Sequence, residues 1–200
     1  MRHGRPTAKC RDAGLQVTGL EPAANMRAIA QARNPDAPIL EGVITNLPFP
    51  DRAFDFVLSI EVLRYLHRSD VLLAYREMLR VLRPGGRSFF TLSNRYALTG
   101  FYLVDKTRRA LARLARREEP VHCEFVTPGS VRRNLNTAGF DHISIRGTVV
   151  VPVRPLYRLS TNFGARAARL LEPLDDSLSN QGWATPLAAR LVVNASRPLN

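Results

Sequence analysis

Residues 46–63 read NLPFPDRAFDFVLSIEVL, and the apolar run inside this stretch decides the fold class. From 54 to 60 the run is apolar almost without interruption, which is typical of a strand that is covered on both faces. Strand-like runs alternate with helical runs on either side of it. This alternation indicates a layered α/β fold in which the strand at 54–60 belongs to a sheet with parallel strands.

The neighbouring elements are predicted from apolar periodicity and capping residues. Thr127 and Pro128 are expected to be the N-cap and first-turn proline of a helix that Gly139 ends. Another helix is expected to begin at a cap formed by residues 69–70 and to end at the turn of residues 83–86. The other predicted elements are a strand ending at Leu20, a helix over 23–32, strands near 39–40 and over 88–92, a strand over 140–153, a helix over 161–174 and a strand over 188–195.

The 200 residues suit one domain, with 15–95 and 127–197 as its core and 96–126 as an inserted cap that carries a helix. No apolar run approaches the roughly 20 residues of a membrane span, and the amino-terminal residues lack the apolar core of a secretory signal. Cys10 and Cys123 are far apart and lack metal-ligand spacing. We therefore expect a cytoplasmic protein with reduced thiols and no metal site.

The net charge of +12 would attract nucleic acid, anionic lipid or phosphorylated compounds. The arginines are scattered along the chain, however, and basic residues cluster only between 106 and 117. No nucleic-acid recognition motif accompanies them. A solvated basic face therefore explains most of the charge, and nucleic acid is not the expected partner.

Four segments, in the same order, resemble class I, Rossmann-like S-adenosylmethionine-dependent methyltransferases, in particular the type 11 group that includes quinone-biosynthesis methyltransferases. The resemblance implies a three-layer sandwich with a mainly parallel sheet and an antiparallel last strand. It also implies that S-adenosylmethionine lies across the carboxyl ends of the parallel strands. The segments that carry the resemblance are GLQVTGLEPAANM at 14–26, NLPFPDRAFDFVLSIEVL at 46–63, REMLRVLRPGGRSFFTL at 76–92 and TPGSVRRNLNTAGF at 127–140.

The resemblance further implies a first strand and a glycine-rich loop ahead of residue 15. By spacing, only Gly4 fits that loop, and the first strand is missing. In the family this strand is central, and its two neighbours would otherwise present unpaired backbone groups. Two explanations stay open. Either the natural protein begins further upstream, which we expect, or the chain is a degenerate copy that cannot bind the cofactor normally.

The resemblance places the cofactor contacts at strand ends. Glu21 follows the second strand of the family, and its two carboxylate oxygens match the adjacent hydroxyls of a ribose. The alternative is a surface glutamate that the dipole of the next helix favours. Val43 stands where the family usually has an acidic residue for the adenine amino group, which weakens that contact. The expected cofactor-binding residues are Gly4, Glu21, Pro22, Val43, Ile44, Ser59, Ile60 and Glu61.

His67 and His122 are the candidate catalytic bases, although lone histidines are more often structural or exposed. Methyl transfer from a sulfonium depends more on alignment of nucleophile, carbon and leaving sulfur than on a strong base. The absence of an obvious catalytic base therefore does not argue against methyl transfer.

We expect in-line methyl transfer to a small-molecule acceptor. The aromatic and basic amphipathic surface of 96–126 suits a lipid-like or aromatic acceptor and a peripheral membrane contact. The alternative is a catalytically silent methyltransferase-like partner or scaffold protein. A third possibility is a nucleic-acid binder, whose affinity for nucleic acid would fall steeply as the salt concentration rises.

Overall fold

The computed structural model describes residue 10, residues 13–151 and residues 160–199. The chain divides into two compact units, Met1–Pro50 and Asp51–Asn200. Gly4 lies outside the described residues, and so do the last two residues of the strand predicted over 140–153.

The first unit is built around two short parallel strands, β1 (Gly19–Leu20) and β2 (Ile39–Leu40), which helix α1 (Ala24–Arg33) connects. Gly19 pairs with Ile39, and a Cβ atom at position 19 would lie 2.6 Å from the Ile39 Cδ1 atom. A side chain at position 19 would therefore displace the end of the Ile39 side chain.

Gln31 closes the turn between α1 and β2. Its side-chain amide donates to the carbonyl oxygens of Asn34 and Ala37 at 3.2 and 3.3 Å. The same amide accepts a hydrogen bond from the Ile39 N–H at 2.9 Å. These bonds fix the start of β2 and thereby the position of the residues that follow Leu40.

The described residues of the second unit form a five-stranded sheet and four α-helices. In chain order they are β3 (Phe54–Ser59), α2 (Arg68–Val81), β4 (Leu82–Asn94), α3 (Phe101–Leu114), β5 (Phe125–Val126), α4 (Pro128–Ala138), β6 (Asp141–Thr148), α5 (Thr161–Ser179) and β7 (Arg190–Ser196). The strand order is β3-β4-β7-β6, with β5 paired to β4. Strands β3 and β5 run parallel to β4, whereas β7 is antiparallel to both β4 and β6. The α/β class and the antiparallel last strand are thus confirmed.

Helix α2 and strand β4 supply much of the core of the second unit. Tyr75 of α2 packs on Phe90 of β4 with ring centroids 5.5 Å apart, and burial raises the pKa of the Tyr75 phenol. Val131 and Leu135 of α4 are buried as well, as their spacing predicts.

Helix α4 begins and ends at the predicted residues. Thr127 Oγ1 accepts a hydrogen bond from the Ser130 N–H at 3.2 Å, and Ser130 Oγ accepts one from the Thr127 N–H at 3.1 Å. Gly139 follows the helix with a φ of +100°, a left-handed conformation that favours glycine. This capping box and C-cap confirm the helix bounds.

Helix α2 differs from its prediction at both ends. Its N-cap is His67 rather than a residue of the predicted 69–70 cap. The helix ends at Val81, before the glycine turn, because Leu82 already pairs with Phe54 of β3.

Strand β4 is longer than predicted because the glycine turn lies inside it. The pairing with β3 jumps from Leu82 to Arg87, and Gly85 adopts a φ of +75° within this irregularity. The prediction of a turn at residues 83–86 was right, but its predicted place between helix and strand was wrong.

The carboxyl-terminal elements also depart from their predicted bounds. Strand β6 ends at Thr148, before Val149, whose φ of +62° interrupts the extended chain. Helix α5 extends to Ser179, beyond the predicted end at 174, and contains Pro173. Among the described residues, no helix combines the length and hydropathy of a membrane span.

Strand β3 is less covered than its apolar run predicts. Phe56, Leu58 and Ile60 each leave more than a third of their surface exposed. Among the described residues, β3 pairs with β4 alone and therefore has one unpaired edge. The expectation of a strand covered on both faces was wrong for this part of the chain.

Candidate functional site

The carboxyl ends of β1 and β2 bring acidic residues together in the first unit. Glu21 directly follows β1 and Glu41 directly follows β2. Arg27 Nη1 donates to the carbonyl oxygens of Glu21 and Pro22 at 3.0 and 3.2 Å, while its Nη2 donates to Glu41 Oε2 at 2.7 Å. One arginine thus ties the two strand ends to each other.

The Glu21 side chain turns back to the start of the next helix. Its Oε1 accepts a hydrogen bond from the Ala23 N–H at 3.0 Å. Within the part of the chain that the structure describes, no second donor reaches this carboxylate. The contact fits the alternative of a helix-start glutamate, and it also holds the carboxylate in a fixed orientation at the strand end.

Glu41 is a second acidic strand-end residue, which we did not single out in the sequence. It follows a short apolar run, as Glu21 does, and this repeated pattern is the signal that identifies it. Its side chain is largely exposed apart from the ion pair with Arg27.

Val43 and Ile44 lie in a tight turn after β2. The Asn46 N–H donates to the Val43 carbonyl oxygen at 3.1 Å, which closes the turn. The Val43 side chain is exposed and Ile44 is half-buried. An apolar surface thus stands where the family usually has an acidic residue.

In the second unit, the carboxyl end of β3 carries Ser59, Ile60 and Glu61. The Ser59 hydroxyl is buried, and no described residue gives it a hydrogen-bond partner. Glu61 has a φ of +61°, which is strained for a residue with a side chain. The turn after β3 therefore combines an unpaired buried hydroxyl with a strained backbone.

Basic and hydroxyl groups surround the Glu61 carboxylate. Arg64 Nη1 donates to it at 2.6 Å, Arg190 Nε at 2.9 Å and Thr91 Oγ1 at 3.2 Å. Burial by itself disfavours the charged form, but the Arg64 hydrogen bond and the positive charges of Arg190 and Arg64 outweigh it and lower the pKa of Glu61. This carboxylate is ionised and occupied by protein donors. The Glu61 N–H also has a partner, since it donates to Thr91 Oγ1 at 2.9 Å.

Arg64 extends this group towards the loop before α4. Its Nη2 lies 3.2 Å from Cys123 Sγ, and its guanidinium lies 5.7 Å from the centre of the Phe101 ring. Its carbonyl oxygen accepts from the Glu124 N–H at 2.7 Å. These residues are distant in the sequence, and no local pattern indicated that they meet.

The two candidate bases, His67 and His122, lie against each other. Their ring centroids are 4.4 Å apart at an interplanar angle of 31°. His122 Nε2 is 3.1 Å from the Leu66 carbonyl oxygen and 3.8 Å from Glu124 Oε2. The pair therefore adjoins the Glu61–Arg64 group through Glu124.

A cavity of about 750 Å³ lies at the other end of the sheet, near Gly85 and Arg87 of β4 and Asn194 and Ser196 of β7. These residues mark the amino end of β4. Ligands of open α/β sheets bind at the carboxyl ends of the parallel strands. The cavity is therefore not the candidate cofactor site.

Residues 2–90 match the family described as methyltransferase domain. A demethylmenaquinone methyltransferase from Renibacterium salmoninarum is 41% identical over 76 residues, which are 38% of this chain and 31% of the relative. One from Beutenbergia cavernae is 38% identical over 106 residues, which are 50% of this chain and 43% of the relative. The matched segments thus cover less than half of either relative.

Solved structures show the same fold over nearly the whole chain. The crystal structure of an S-adenosylmethionine-dependent methyltransferase from Mesorhizobium loti aligns with 94% of this chain and 85% of its own, with a TM-score of 0.60 and 23% identity. The chain therefore has the fold of the class I, Rossmann-like S-adenosylmethionine-dependent methyltransferases. Its residues 2–90 match the methyltransferase domain family.

Proposed function

We propose that the protein transfers a methyl group from S-adenosylmethionine to a small-molecule acceptor. The observation that carries the proposal is the position of Glu21. It follows the first strand of a parallel pair inside the segment that matches the methyltransferase domain. A carboxylate held there has the two oxygens that adjacent ribose hydroxyls require.

The described residues fit the cofactor in part. In the first unit, Glu21 is the ribose acceptor and Pro22 flanks it, while Val43 and Ile44 offer adenine apolar packing. Val43 cannot accept a hydrogen bond from the adenine amino group, so the expected affinity is lower than with an acidic residue at this position.

In the second unit, the end of β3 offers polar backbone and a hydroxyl. The buried Ser59 hydroxyl lacks a partner among the described residues, and a bound polar group would supply one. Because the Glu61 carboxylate and the Glu61 N–H both have protein partners, we assign the carbonyl groups of the turn of Ser59, Ile60 and Glu61 a role towards the methionine part of the cofactor.

Bound S-adenosylmethionine supplies an activated methyl group, so the chain's own task is chiefly to position the acceptor. Correct alignment alone can contribute about 7–11 kcal/mol to lowering the barrier. His67 and His122 are the groups we propose for removing a proton from the acceptor. If Nε2 of His122 donates to the Leu66 carbonyl oxygen, Nδ1 is the basic nitrogen of that ring.

We propose a lipid-like or aromatic acceptor, such as a quinone precursor. The two bacterial relatives are named for demethylmenaquinone, a quinone. Phe101 and Tyr102 of α3 both pack edge-on against Phe125, and Phe101 borders Arg64. These rings provide an aromatic surface beside the end of β3.

A calorimetric titration of S-adenosylhomocysteine tests the cofactor assignment. We expect Glu21→Gln to weaken binding at least about tenfold, because the charged acceptor for the ribose hydroxyls is lost. Glu41→Gln is the matched control at the neighbouring strand end and should change affinity less than about twofold. Equal effects of the two substitutions would refute the role of Glu21.

Val43→Asp tests the adenine contact by adding a hydrogen-bond acceptor instead of removing one. A carboxylate at this position should raise affinity about tenfold, the value of one added charged hydrogen bond. Unchanged affinity would show that adenine does not reach this turn.

The second candidate function is a catalytically silent partner protein, which Val43 favours. If neither the original chain nor Val43→Asp binds S-adenosylhomocysteine, this function takes first place. If both bind and label from S-adenosylmethionine reaches a demethylated quinone, it is refuted.

A further inference from the structure

We infer that helix α3 docks the protein on an anionic lipid surface, through a stripe formed by Leu103, Leu111 and Leu114. This inference rests on the proposed function only in the reason it gives for docking, which is access to a lipid-like acceptor. The surface itself is defined by exposure, orientation and charge.

The leucine stripe is apolar and open to solvent. Leu103 is 64% exposed, Leu111 63% and Leu114 84%. At about 100° per residue they fall within an arc of about 80° on one side of α3. Val104, also exposed, borders them. Exposed leucines aligned on one side of a helix, unlike single scattered ones, indicate an interaction surface.

The opposite side of α3 is held by the protein, which fixes the direction of the stripe. Phe101 and Tyr102 pack against Phe125 with ring centroids 5.5 and 5.4 Å away. Arg109 pairs with Asp105 at 2.7 Å and donates to the Val121 carbonyl oxygen at 2.6 Å. The helix therefore cannot rotate its leucines inward without losing these contacts.

Basic residues flank the stripe. Lys106 and Arg108 lie on either side of it, and Arg116 and Arg117 follow the helix. All of them are exposed, and no described acidic residue forms an ion pair with any of them. An apolar face with cations at its borders suits a leaflet of anionic lipid, whose acyl chains and headgroups match the two kinds of surface.

Helix α5 also exposes an apolar stripe, but its charge differs from that of α3. Helix α5 exposes Phe163, Leu170 and Leu174 on one side. Its acidic residues outnumber its basic ones, three to two. Helix α3 instead has four basic residues and one acidic residue. Of these two helices, α3 is therefore the one whose charge attracts anionic lipid.

The docking helix also adjoins the candidate site. Phe101, at its first turn, borders Arg64, and Arg64 pairs with Glu61 at the end of β3. Docking through α3 would therefore bring the end of β3 near the lipid from which an apolar acceptor is drawn.

Co-sedimentation of the full chain with vesicles tests the inference. The vesicles are phosphatidylcholine alone or phosphatidylcholine mixed with phosphatidylglycerol. We expect binding to the mixed vesicles only, weakened by added salt. Leu103→Ser, Leu111→Ser and Leu114→Ser combined should reduce binding at least about tenfold, and Lys106→Gln with Arg108→Gln about tenfold.

The control is Leu170→Ser with Leu174→Ser on α5, which should bind the mixed vesicles as the original chain does. Unchanged S-adenosylhomocysteine binding and circular dichroism will show that the α3 variants are folded and separate this test from that of the proposed function. Equal binding to both vesicle types, or full binding by the triple variant, would overturn the inference. If the triple variant lost self-association but kept vesicle binding, the stripe would be a protein interface. That result would also overturn the inference.

Discussion

Glu21 and Glu61 both follow parallel strands, but their surroundings differ. In the first unit, where α1 has no buried residue, the described residues give the Glu21 carboxylate one hydrogen bond. In the second unit, where α2 buries five residues, two arginines and a threonine surround Glu61. The same local pattern thus yields an available carboxylate in one unit and an occupied one in the other.

The largest expected effect concerns how much better the second unit is packed internally than the first. Leu135 is fully buried in α4, and Leu135→Ala should lower the free energy of unfolding by about 2–5 kcal/mol, because it removes apolar contacts and leaves a cavity. Ile29 of α1 is 44% exposed, and Ile29→Ala should cost less than about 1 kcal/mol. Urea unfolding of both variants measures the difference. Similar losses would mean that the two units are packed equally well.

Glu61→Gln should have an intermediate effect, about 1–2 kcal/mol of unfolding free energy at neutral pH, because it leaves Arg64 and Arg190 without their anionic partner. The folded pKa of Glu61 lies below its ordinary value of 4.5. The stabilisation that ionised Glu61 gives the folded protein is therefore fully present above pH 4.5. It is lost as the pH falls through the folded pKa.

Unfolding titrations of the original chain and Glu61→Gln at several pH values will show this. We expect the difference between them to be constant from neutral pH down to about 5 and to shrink below 4.5. A difference that grows on acidification would contradict the ion-pair assignment.

The smallest expected effect is that of an exposed ion pair in the well-packed unit. Asp55 Oδ2 lies 2.8 Å from Arg83 Nη1, but both side chains are more than half exposed. Asp55→Asn should therefore change the unfolding free energy by less than about 1 kcal/mol. A loss as large as that of Glu61→Gln would show that burial does not distinguish these pairs.

The parts of the fold that local chemistry determines could be predicted from the sequence. Helix α4 has its N-cap, first-turn proline and C-cap glycine within its own residues, and both ends were correct. The end of α2 was wrong because the pairing of Leu82 with Phe54 of β3, a distant partner, starts β4 there.

The candidate site follows the same rule. Glu21 could be identified from the acidic residue that ends an apolar run, and Glu41 shows the same signal. The contact of Arg64 with Cys123 joins residues 59 positions apart. The stacking of His67 on His122 likewise depends on the fold. Sequence patterns therefore found residues at strand ends but not the groups assembled around them.

Hydrogen exchange with and without S-adenosylhomocysteine tests the central claim most directly. Without ligand, we expect the amides of α1 to exchange faster than those of β4 and β7, because α1 lacks buried residues. Ligand should then slow exchange around Glu21 and around residues 59–61, and leave Ser196, near the amino end of β4, unchanged. Slowed exchange at Ser196 alone, or no change at either strand end, would contradict the assignment of these residues to a methyltransferase cofactor site.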